Sequence, residues 1–306
     1  MEPIRNLEQL KERAKELPSM KVAVVMANES ETLSAVSEAV EANMLEAVLI
    51  GPEEEIASSA EEAGVDISGM EIVHVTEEAE AAMKGTQLVR NGRAQVLMKG
   101  LIATSTFLKA VLDRESGIRG EGLLSHVAVI DAPEYHKLLL ITDAAMNIDP
   151  DFEQKMEMLK NAVTVAHAIG IEKPKATYIC AKEKPYQKMP RTMEAARMKE
   201  AAGRGELGEV IFDAPLAMDL AVSAVAKKIK KIDSPVAGDA DLLLLPDIES
   251  GNAIYKTLIF LAGAELGAVI MGATHPVVLT SRADSAESKL CSIVLAGVVA
   301  SYMEGN

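Results

Sequence analysis

Two polar segments, each following a short apolar run, carry the side chains best suited to chemistry in this sequence. The apolar run at residues 242–245 predicts a buried strand, which is followed by a predicted loop at residues 247–252. Residues 253–264 predict a helix, and because this helix is apolar on every side we expect it to be buried all round. Lys256 would then lie in the first helical turn, where a cation opposes the helix dipole. A shared anion, bound by Lys256 and by the free N–H groups near Gly251, would relieve that conflict.

The second segment follows a predicted strand over residues 277–279. Ser281 and Arg282 lie where this strand passes into a helix, which is the usual ligand-binding edge of an open α/β sheet. Asp284 and Glu287 have the spacing of a helix N-cap with an acid three residues on. We therefore predict one anion site built from both segments. The alternative is that Lys256 points to solvent and Arg282 pairs with Glu287.

A third polar segment begins at Lys99 and Gly100, after a predicted strand over residues 95–98. Thr104, Ser105 and Thr106 follow before the next predicted helix. The spacing of a P-loop is absent, but a lysine, hydroxyls and backbone N–H groups can still surround a phosphate. The alternative is that Thr104 is only the helix N-cap.

The composition limits the classes of function. With 306 residues the chain is long enough for two domains, and its net charge of −15 argues against nucleic acid or an anionic membrane as a partner. Cys180 and Cys291 lie far apart in apolar runs, so we expect buried thiols and a cytoplasmic location. No cysteine cluster and only five histidines are present, so no metal site is predicted. We also expect no signal peptide and no apolar run long enough to span a bilayer.

Strand and helix patterns alternate along most of the chain, which predicts a mostly parallel sheet with helices on both faces. Residues 125–130 and 137–142 are separated by so short a connector that these two strands should be antiparallel. A domain boundary is expected near residue 124. The other predicted strands are 22–26, 47–50, 72–75, 176–180, 210–213 and 268–271, and the predicted helices are 4–17, 31–42, 53–63, 77–90, 151–169, 192–202, 216–230 and 286–303.

Several of these residues resemble the signature of the phosphate acetyl/butyryl transferases. The most specific element is Ser250-Gly251-Asn252-x-x-Tyr255-Lys256, preceded by Asp247. The matching elements elsewhere, in the same order as in the family, are Lys99-Gly100, Ser125-His126, Thr142-Asp143 with Asn147, Phe212-Asp213-Ala214-Pro215-Leu216 with Asp219, Pro276-Val277-Val278 and Ser281-Arg282. The residues from Ser281 to Lys289 resemble the butyryl branch more than the acetyl branch.

The resemblance implies an isocitrate/isopropylmalate-dehydrogenase-like fold with the active site in an interdomain cleft. One α/β domain would comprise residues 1–124 and 266–306, and a second, residues 125–265, would be inserted in it. It also implies a homodimer or higher homo-oligomer. The implied reaction is reversible transfer of a butyryl or similar short acyl group between CoA and inorganic phosphate, by direct attack in a ternary complex. Acyl-CoA is then a substrate, and no tightly bound cofactor is expected.

The resemblance also implies roles for individual residues. Arg282 would hold phosphate, Ser281 would donate to the carbonyl oxygen or the thiolate sulfur, and Lys256 would stabilise an oxyanion or phosphate. Members of the acetyl branch carry an aspartate base seven residues after the serine, where this chain has Ser288. Glu287 is the predicted base, with helix capping as its alternative role. The remaining predicted substrate-binding residues are Lys99, Gly100, Thr104, Thr106, Ser125, Gly251, Asn252 and Tyr255.

Three other functions stay open at this point. The chain could be a phosphate acetyltransferase, or a non-catalytic protein that binds CoA or acyl phosphate. A metal- and NAD-dependent decarboxylating dehydrogenase on the same fold would need convergent aspartates and a nucleotide-binding loop, and the sequence offers no convincing set.

Overall fold

The computed structural model describes residues 2–281 and 284–305. The chain divides into two compact units. The flanking unit comprises Leu7–Gly122 and Leu266–Asn306, and the inserted unit comprises Met1–Asn6 and Leu123–Glu265. The strands are β1 Met20–Val25, β2 Leu45–Gly51, β3 Glu71–His74, β4 Val96–Lys99, β5 Ser125–Asp131, β6 Leu139–Thr142, β7 Lys175–Tyr178, β8 Ile211–Phe212, β9 Leu242–Leu244, β10 Glu265–Met271 and β11 Val277–Val278. The helices are α1 Leu7–Glu16, α2 Ser30–Glu41, α3 Glu53–Ala63, α4 Glu78–Arg90, α5 Thr104–Val111, α6 Phe152–Ala168, α7 Pro190–Gly203, α8 Met218–Val222, α9 Ala224–Lys230, α10 Ile248–Phe260 and α11 Ala286–Glu304.

The flanking unit has a sheet with the strand order β3-β2-β1-β4-β11-β10. The pairings of β1 with β2 and β4, of β2 with β3 and of β4 with β11 are parallel, whereas β10 runs antiparallel to β11. The predicted mostly parallel α/β sheet is confirmed here. Because β1, β4 and β11 are parallel neighbours, the residues that follow them lie along one edge of the sheet.

The inserted unit has the strand order β5-β6-β9-β7-β8. β5 and β6 are antiparallel, as the short connector predicted, and β6, β9, β7 and β8 pair in parallel. The carboxyl ends of β6, β9 and β7 therefore share an edge as well.

The core of the flanking unit is built around α11, of which twelve of the nineteen described residues are buried. By length and composition α11 could cross a membrane, so the expectation that no stretch of this kind exists was wrong. About two thirds of its most apolar window is buried within the protein, where α11 packs against α1, α2 and β1. This burial is typical of a core helix.

Three predicted helices differ from those observed. The helix predicted over residues 4–17 spans Leu7–Glu16. The single helix predicted over residues 216–230 is two short helices, α8 and α9, separated at Ser223, whose hydroxyl caps the second by accepting from the Ala226 N–H. The helix predicted to begin at residue 253 begins at Ile248 instead. Of its thirteen described residues, only Gly251 and Tyr255 are buried, so the expectation of burial on every side was wrong.

Candidate active site

The edge of the flanking unit brings together the ends of β1, β4 and β11. Lys99 ends β4 and is buried, with 7% of its surface exposed, and its ammonium lies 3.2 Å from the Gly100 carbonyl oxygen. A Cβ on Gly100 would lie 2.3 Å from the Met26 carbonyl oxygen, so only glycine allows the end of β4 to approach the end of β1 this closely. Ser281, two residues after Leu279, lies beyond the end of β11.

An ion pair between a buried lysine and a partly exposed glutamate lies at this edge. Lys289, in the first turn of α11, is 1% exposed. Its ammonium donates at 2.9 Å to the carboxylate of Glu29, the N-cap residue of α2, whose side chain is 16% exposed. Burial alone would raise the pKa of Glu29. Hydrogen bonds from Thr32 and Lys289, with the charges of Lys289 and Lys99, lower that pKa instead, so Glu29 is a carboxylate at neutral pH. The carboxylate of Glu29 therefore lies within electrostatic reach of Lys99 as well as of Lys289.

The start of α11 differs from the prediction. The N-cap is Ser285, whose hydroxyl accepts from the Ser288 N–H, while the Asp284 carboxylate accepts from the Ser281 N–H at 2.8 Å. Asp284 is thus not the N-cap, and Glu287 has no capping role. Glu287 instead pairs with Lys11 of α1 at 2.5 Å. Arg282 lies outside the described residues, so its predicted contacts with Lys256, phosphate or Glu287 stay predictions.

The two predicted threonines lie in the first turn of α5. The N-cap position is Ala103, so Thr104 is the first helical residue and not the cap. Thr106 lines a cavity of about 460 Å³ together with Ser105, Lys109 and Ser116, whereas Lys99 is not among the residues that line it. Thr104 is exposed.

The edge of the inserted unit is organised by Asp143, which follows β6 and is 2% exposed. One carboxylate oxygen accepts from the N–H groups of Ala145 and Met146, and the other from the His126 N–H and the Asn147 amide, at distances of 2.7–3.0 Å. These four bonds fix the loop after β6. Ser125, the first residue of β5, is fully buried and accepts from the Asn161 amide at 2.8 Å, so its contact with substrate stays a prediction.

The first turn of α10 packs directly on this loop. A Cβ on Gly251 would lie 2.1 Å from the Asp143 carbonyl oxygen, and Asn252 donates to the Ala144 carbonyl at 3.1 Å. Gly251 and Asn252 lie within α10, so they are helical residues and not part of the predicted loop. The glycine is required by close backbone contact, not by a turn.

The first-turn N–H groups of α10 are largely satisfied within the protein. The Ile248 N–H donates to the Ile148 carbonyl, the Ser250 N–H to the Asp247 carboxylate, and the Gly251 N–H to the Asp247 carbonyl. The Gly251 N–H is thus not free for an anion, whereas binding of an anion by Lys256 and Arg282 stays a prediction. Lys256 lies in the third turn, where its ammonium is 4.9 Å from the centre of the Tyr255 ring, so it does not oppose the dipole of the first turn.

Tyr255 connects Lys256 to the buried edge. Its ring is 7% exposed and meets the His126 ring edge to face, with 5.7 Å between ring centres. The inserted unit therefore brings together the Asp143 loop, Gly251, Asn252 and Tyr255.

The sequence analysis did not identify Glu29 and Lys289. Both carried a weak signal: Glu29 follows a strand at the ligand-binding edge, and Lys289 interrupts the apolar pattern of α11. Within residues 2–281 and 284–305, no group of three or more His, Cys, Asp or Glu side chains could hold a metal ion.

Comparisons with known proteins agree with the signature. Residues 75–297 match the family described as Phosphate acetyl/butaryl transferase. A phosphate butyryltransferase of Clostridium beijerinckii is 42% identical over 97% of this chain and 98% of its own length. A phosphate acetyltransferase of Thermotoga maritima is also 42% identical, over 92% and 95% of the two chains.

Among solved structures, a branched-chain phosphotransacylase from Enterococcus faecalis matches with a TM-score of 0.82. It is 34% identical to this chain and the match covers 92% of this chain and 99% of the other. The family match spans more than half of the chain, and the relatives are similar over nearly their full lengths. This chain therefore belongs to the phosphate acetyl/butyryl transferase family.

Proposed function

We propose that this protein catalyses reversible transfer of a short-chain acyl group between CoA and inorganic phosphate. The observation that carries the proposal is the nearly full-length similarity to phosphate butyryltransferase and phosphate acetyltransferase. Both relatives are 42% identical to this chain, so identity alone does not choose between butyryl and acetyl.

The proposed reaction needs no covalent enzyme intermediate. A phosphate oxygen attacks the thioester carbonyl carbon, a C–O bond forms, the C–S bond breaks, and CoA leaves as the thiolate. Holding both substrates together supplies up to ~7–11 kcal/mol in well-oriented systems. Both cysteines are buried, and burial raises the pKa of the Cys180 thiol to about 12, which makes that thiol a poor nucleophile.

We assign the proposed roles of the site residues separately to the sheet edge of the flanking unit and to that of the inserted unit. On the flanking unit, Ser281 and Arg282 hold phosphate and the carbonyl oxygen, and Lys99 adds a nearby cation. On the inserted unit, Lys256 stabilises charge as the thioester is attacked. Glu287 is the proposed acceptor of the CoA thiol proton in the reverse direction, and in the resting protein it is paired with Lys11.

The finer architecture is also part of the proposal. We infer an isocitrate/isopropylmalate-dehydrogenase-like arrangement with the substrates bound in a cleft between a domain of residues 1–124 and 266–306 and a domain of residues 125–265. We further infer a cytoplasmic enzyme without a tightly bound cofactor.

A homodimer or higher homo-oligomer belongs to the same proposal. At the end of α10, Phe260 is 69% exposed and the following Leu261 is 83% exposed. Adjacent exposed apolar side chains of this size favour coverage by another protein surface. Sedimentation velocity of the wild type and of Phe260→Ser/Leu261→Ser tests this, and a wild type that sediments as a monomer would contradict it.

The experiment that tests the activity is thiol release from acetyl-, butyryl- and isovaleryl-CoA, with and without phosphate. We expect release that depends on phosphate and on the acyl-CoA. Arg282→Ala should chiefly raise the KM for phosphate, whereas the matched change Arg93→Ala, at an exposed arginine paired with Glu71, should not. Release that ignores phosphate, or no release from any acyl-CoA, would contradict the proposed function.

A further inference from the structure

Glu29 lies at the ligand-binding edge of the flanking unit, at the end of the loop between β1 and α2. Two backbone hydrogen bonds hold this loop against the end of β4. In them the N–H groups of Gly100 and Leu101 donate, at 2.8 and 2.7 Å, to the carbonyls of the last residue of β1 and of the residue after it. The charge of Lys99 accordingly acts on the Glu29 carboxylate. Glu29 thus shares the edge with the cation that ends β4.

The same carboxylate is tied to the helix that follows Ser281. Lys289, in the first turn of α11, donates to it at 2.9 Å. Ser281 stays close to the start of α11, because its N–H donates to the Asp284 carboxylate at 2.8 Å and its carbonyl accepts from the Asp284 N–H at 3.1 Å. The Glu29 carboxylate therefore lies between the end of β4 and the start of α11, where the proposed phosphate-binding residues are.

The two oxygens of this carboxylate differ in their partners. Oε2 accepts from both the Lys289 ammonium and the Thr32 hydroxyl. Within residues 2–281 and 284–305, no hydrogen bond reaches Oε1. Glu29 is the N-cap residue of α2, but its side chain makes no capping bond, and 16% of that side chain is exposed. One oxygen is therefore fixed by the protein, and the other is available to a ligand.

The pairing with Lys289 also removes an electrostatic objection to a carboxylate in an anion site. One carboxylate and one ammonium together carry no net charge, so an anion at this edge meets the cation of Lys99 without a net negative charge opposing it. What Glu29 contributes is directional. An ionised carboxylate oxygen can accept a hydrogen bond but cannot donate one.

Such an acceptor distinguishes oxyanions that cations alone do not. Phosphate and sulfate are both tetrahedral, and lysine or arginine can donate to either. Inorganic phosphate keeps at least one proton at neutral pH, whereas sulfate keeps none. A carboxylate oxygen accepts a hydrogen bond from P–OH, but it repels an oxyanion that has no proton to donate. A hydrogen bond to a charged group that is not made lowers affinity by a factor of about 10 to 100.

We propose that Oε1 of Glu29 accepts the hydrogen bond of the protonated oxygen of inorganic phosphate, and that Glu29 thereby makes the site select phosphate over sulfate. The inference rests on the proposed function, to which it adds a specificity-determining residue. The proton stays on its oxygen while a deprotonated oxygen of the same phosphate attacks the thioester carbon. The bonds formed and broken are therefore those of the proposed reaction.

Inhibition by sulfate tests the selectivity during turnover. In the wild type we expect the Ki of sulfate to exceed the KM for phosphate at least about tenfold. The test variant is Glu29→Gln/Lys289→Met, because Glu29→Gln alone leaves the buried Lys289 without its carboxylate. In the double variant the ratio of Ki to KM should fall at least about tenfold, since glutamine can donate to sulfate. Glu31→Gln, at an exposed glutamate in the first turn of α2, is the matched control and should leave the ratio unchanged.

Binding without acyl-CoA is measured by titration calorimetry at constant ionic strength. Arsenate, which also keeps a proton at neutral pH, should bind the wild type about as tightly as phosphate, and sulfate at least about tenfold more weakly. A wild type that binds sulfate as tightly as phosphate, or a folded double variant with the wild-type ratio, would overturn the inference and leave the proposed function intact. Conversely, absence of phosphate-dependent thiol release would overturn the proposed function, while selective binding of phosphate would still support the role of Glu29.

Discussion

Removing Glu29 from its pair with the buried Lys289 should destabilise the protein far more than removing both charges. In Glu29→Gln the Lys289 ammonium, 1% exposed, loses the carboxylate 2.9 Å away. An unpaired charge at such depth costs about 3–5 kcal/mol, whereas replacing both charges by neutral groups of similar volume is often nearly neutral. Lys289→Met/Glu29→Gln should therefore recover most of the loss.

Urea unfolding of the wild type, both single variants and the double variant at pH 7 measures this coupling. Glu287→Gln is the control, since Glu287 is 41% exposed and its pair with Lys11 should contribute at most about 1 kcal/mol. Single variants that lose less than about 1 kcal/mol, or a double variant that loses the sum of the singles, would refute the reasoning.

The pair also predicts a pH dependence. The pKa of Glu29 is lower in the folded protein than its ordinary value, because the hydrogen bonds and lysine charges outweigh burial. Its stabilisation is therefore fully present above the unfolded-state pKa and is lost as the pH falls through the folded-state pKa. The difference in unfolding free energy between wild type and Glu29→Gln should shrink below about pH 4, and a difference that grows on acidification would contradict this assignment.

Three further predictions follow from single contacts. Gly251→Ala should destabilise by more than about 2 kcal/mol or prevent folding, since its Cβ would lie 2.1 Å from the Asp143 carbonyl oxygen; Gly297→Ala, where the nearest atom is 3.9 Å away, should be neutral or stabilising in the same thermal unfolding assay. Glu287→Gln should lower kcat for acyl phosphate plus CoA by about 100-fold if Glu287 takes the thiol proton, and a rate within twofold of the wild type would remove it from that role. Cys180, with its pKa raised to about 12, should resist iodoacetamide at pH 7.5 and react faster as the pH rises in Cys291→Ser; rapid labelling at pH 7.5, followed by mass spectrometry, would contradict the burial of this thiol.

The alternation of strands and helices could be predicted from the sequence because hydrophobic periodicity reports directly on it. The helix predicted over residues 53–63 was found at Glu53–Ala63, and the antiparallel pairing of β5 with β6 followed from the short connector. These features depend on local patterns. They require no knowledge of which residues meet in space.

The start of α10 could not be predicted in the same way. Ser250, Gly251 and Asn252 all have low helix propensity, which favours a loop. The glycine is inside the helix because the backbone at Asp143 lies against it, more than a hundred residues away in sequence. Tertiary packing overrides the local helix propensity here. The N–H groups of Ile248, Ser250 and Gly251, which the sequence suggested as anion donors, donate to protein oxygens instead.

The sequence predicted which residues lie in the candidate site better than it predicted which residues they contact. Lys99, Gly100, Gly251 and Tyr255 lie at the expected edges of their units, but the spacing of Asp284 and Glu287 did not reveal that Ser285 is the cap. Lys289 and Glu29 are 260 residues apart, and periodicity identifies a buried face without identifying the residue across from it.

The position of α11 at the C-terminal end has a consequence for biosynthesis. The flanking unit needs this helix for its core. Its first segment, Leu7–Gly122, must therefore leave the ribosome and wait through synthesis of Leu123–Glu265 before the helix arrives. At ordinary translation rates this delay is on the order of ten seconds. During that interval the apolar face that later receives α11 is a target for chaperones, while the inserted unit, nearly continuous in sequence, can fold first.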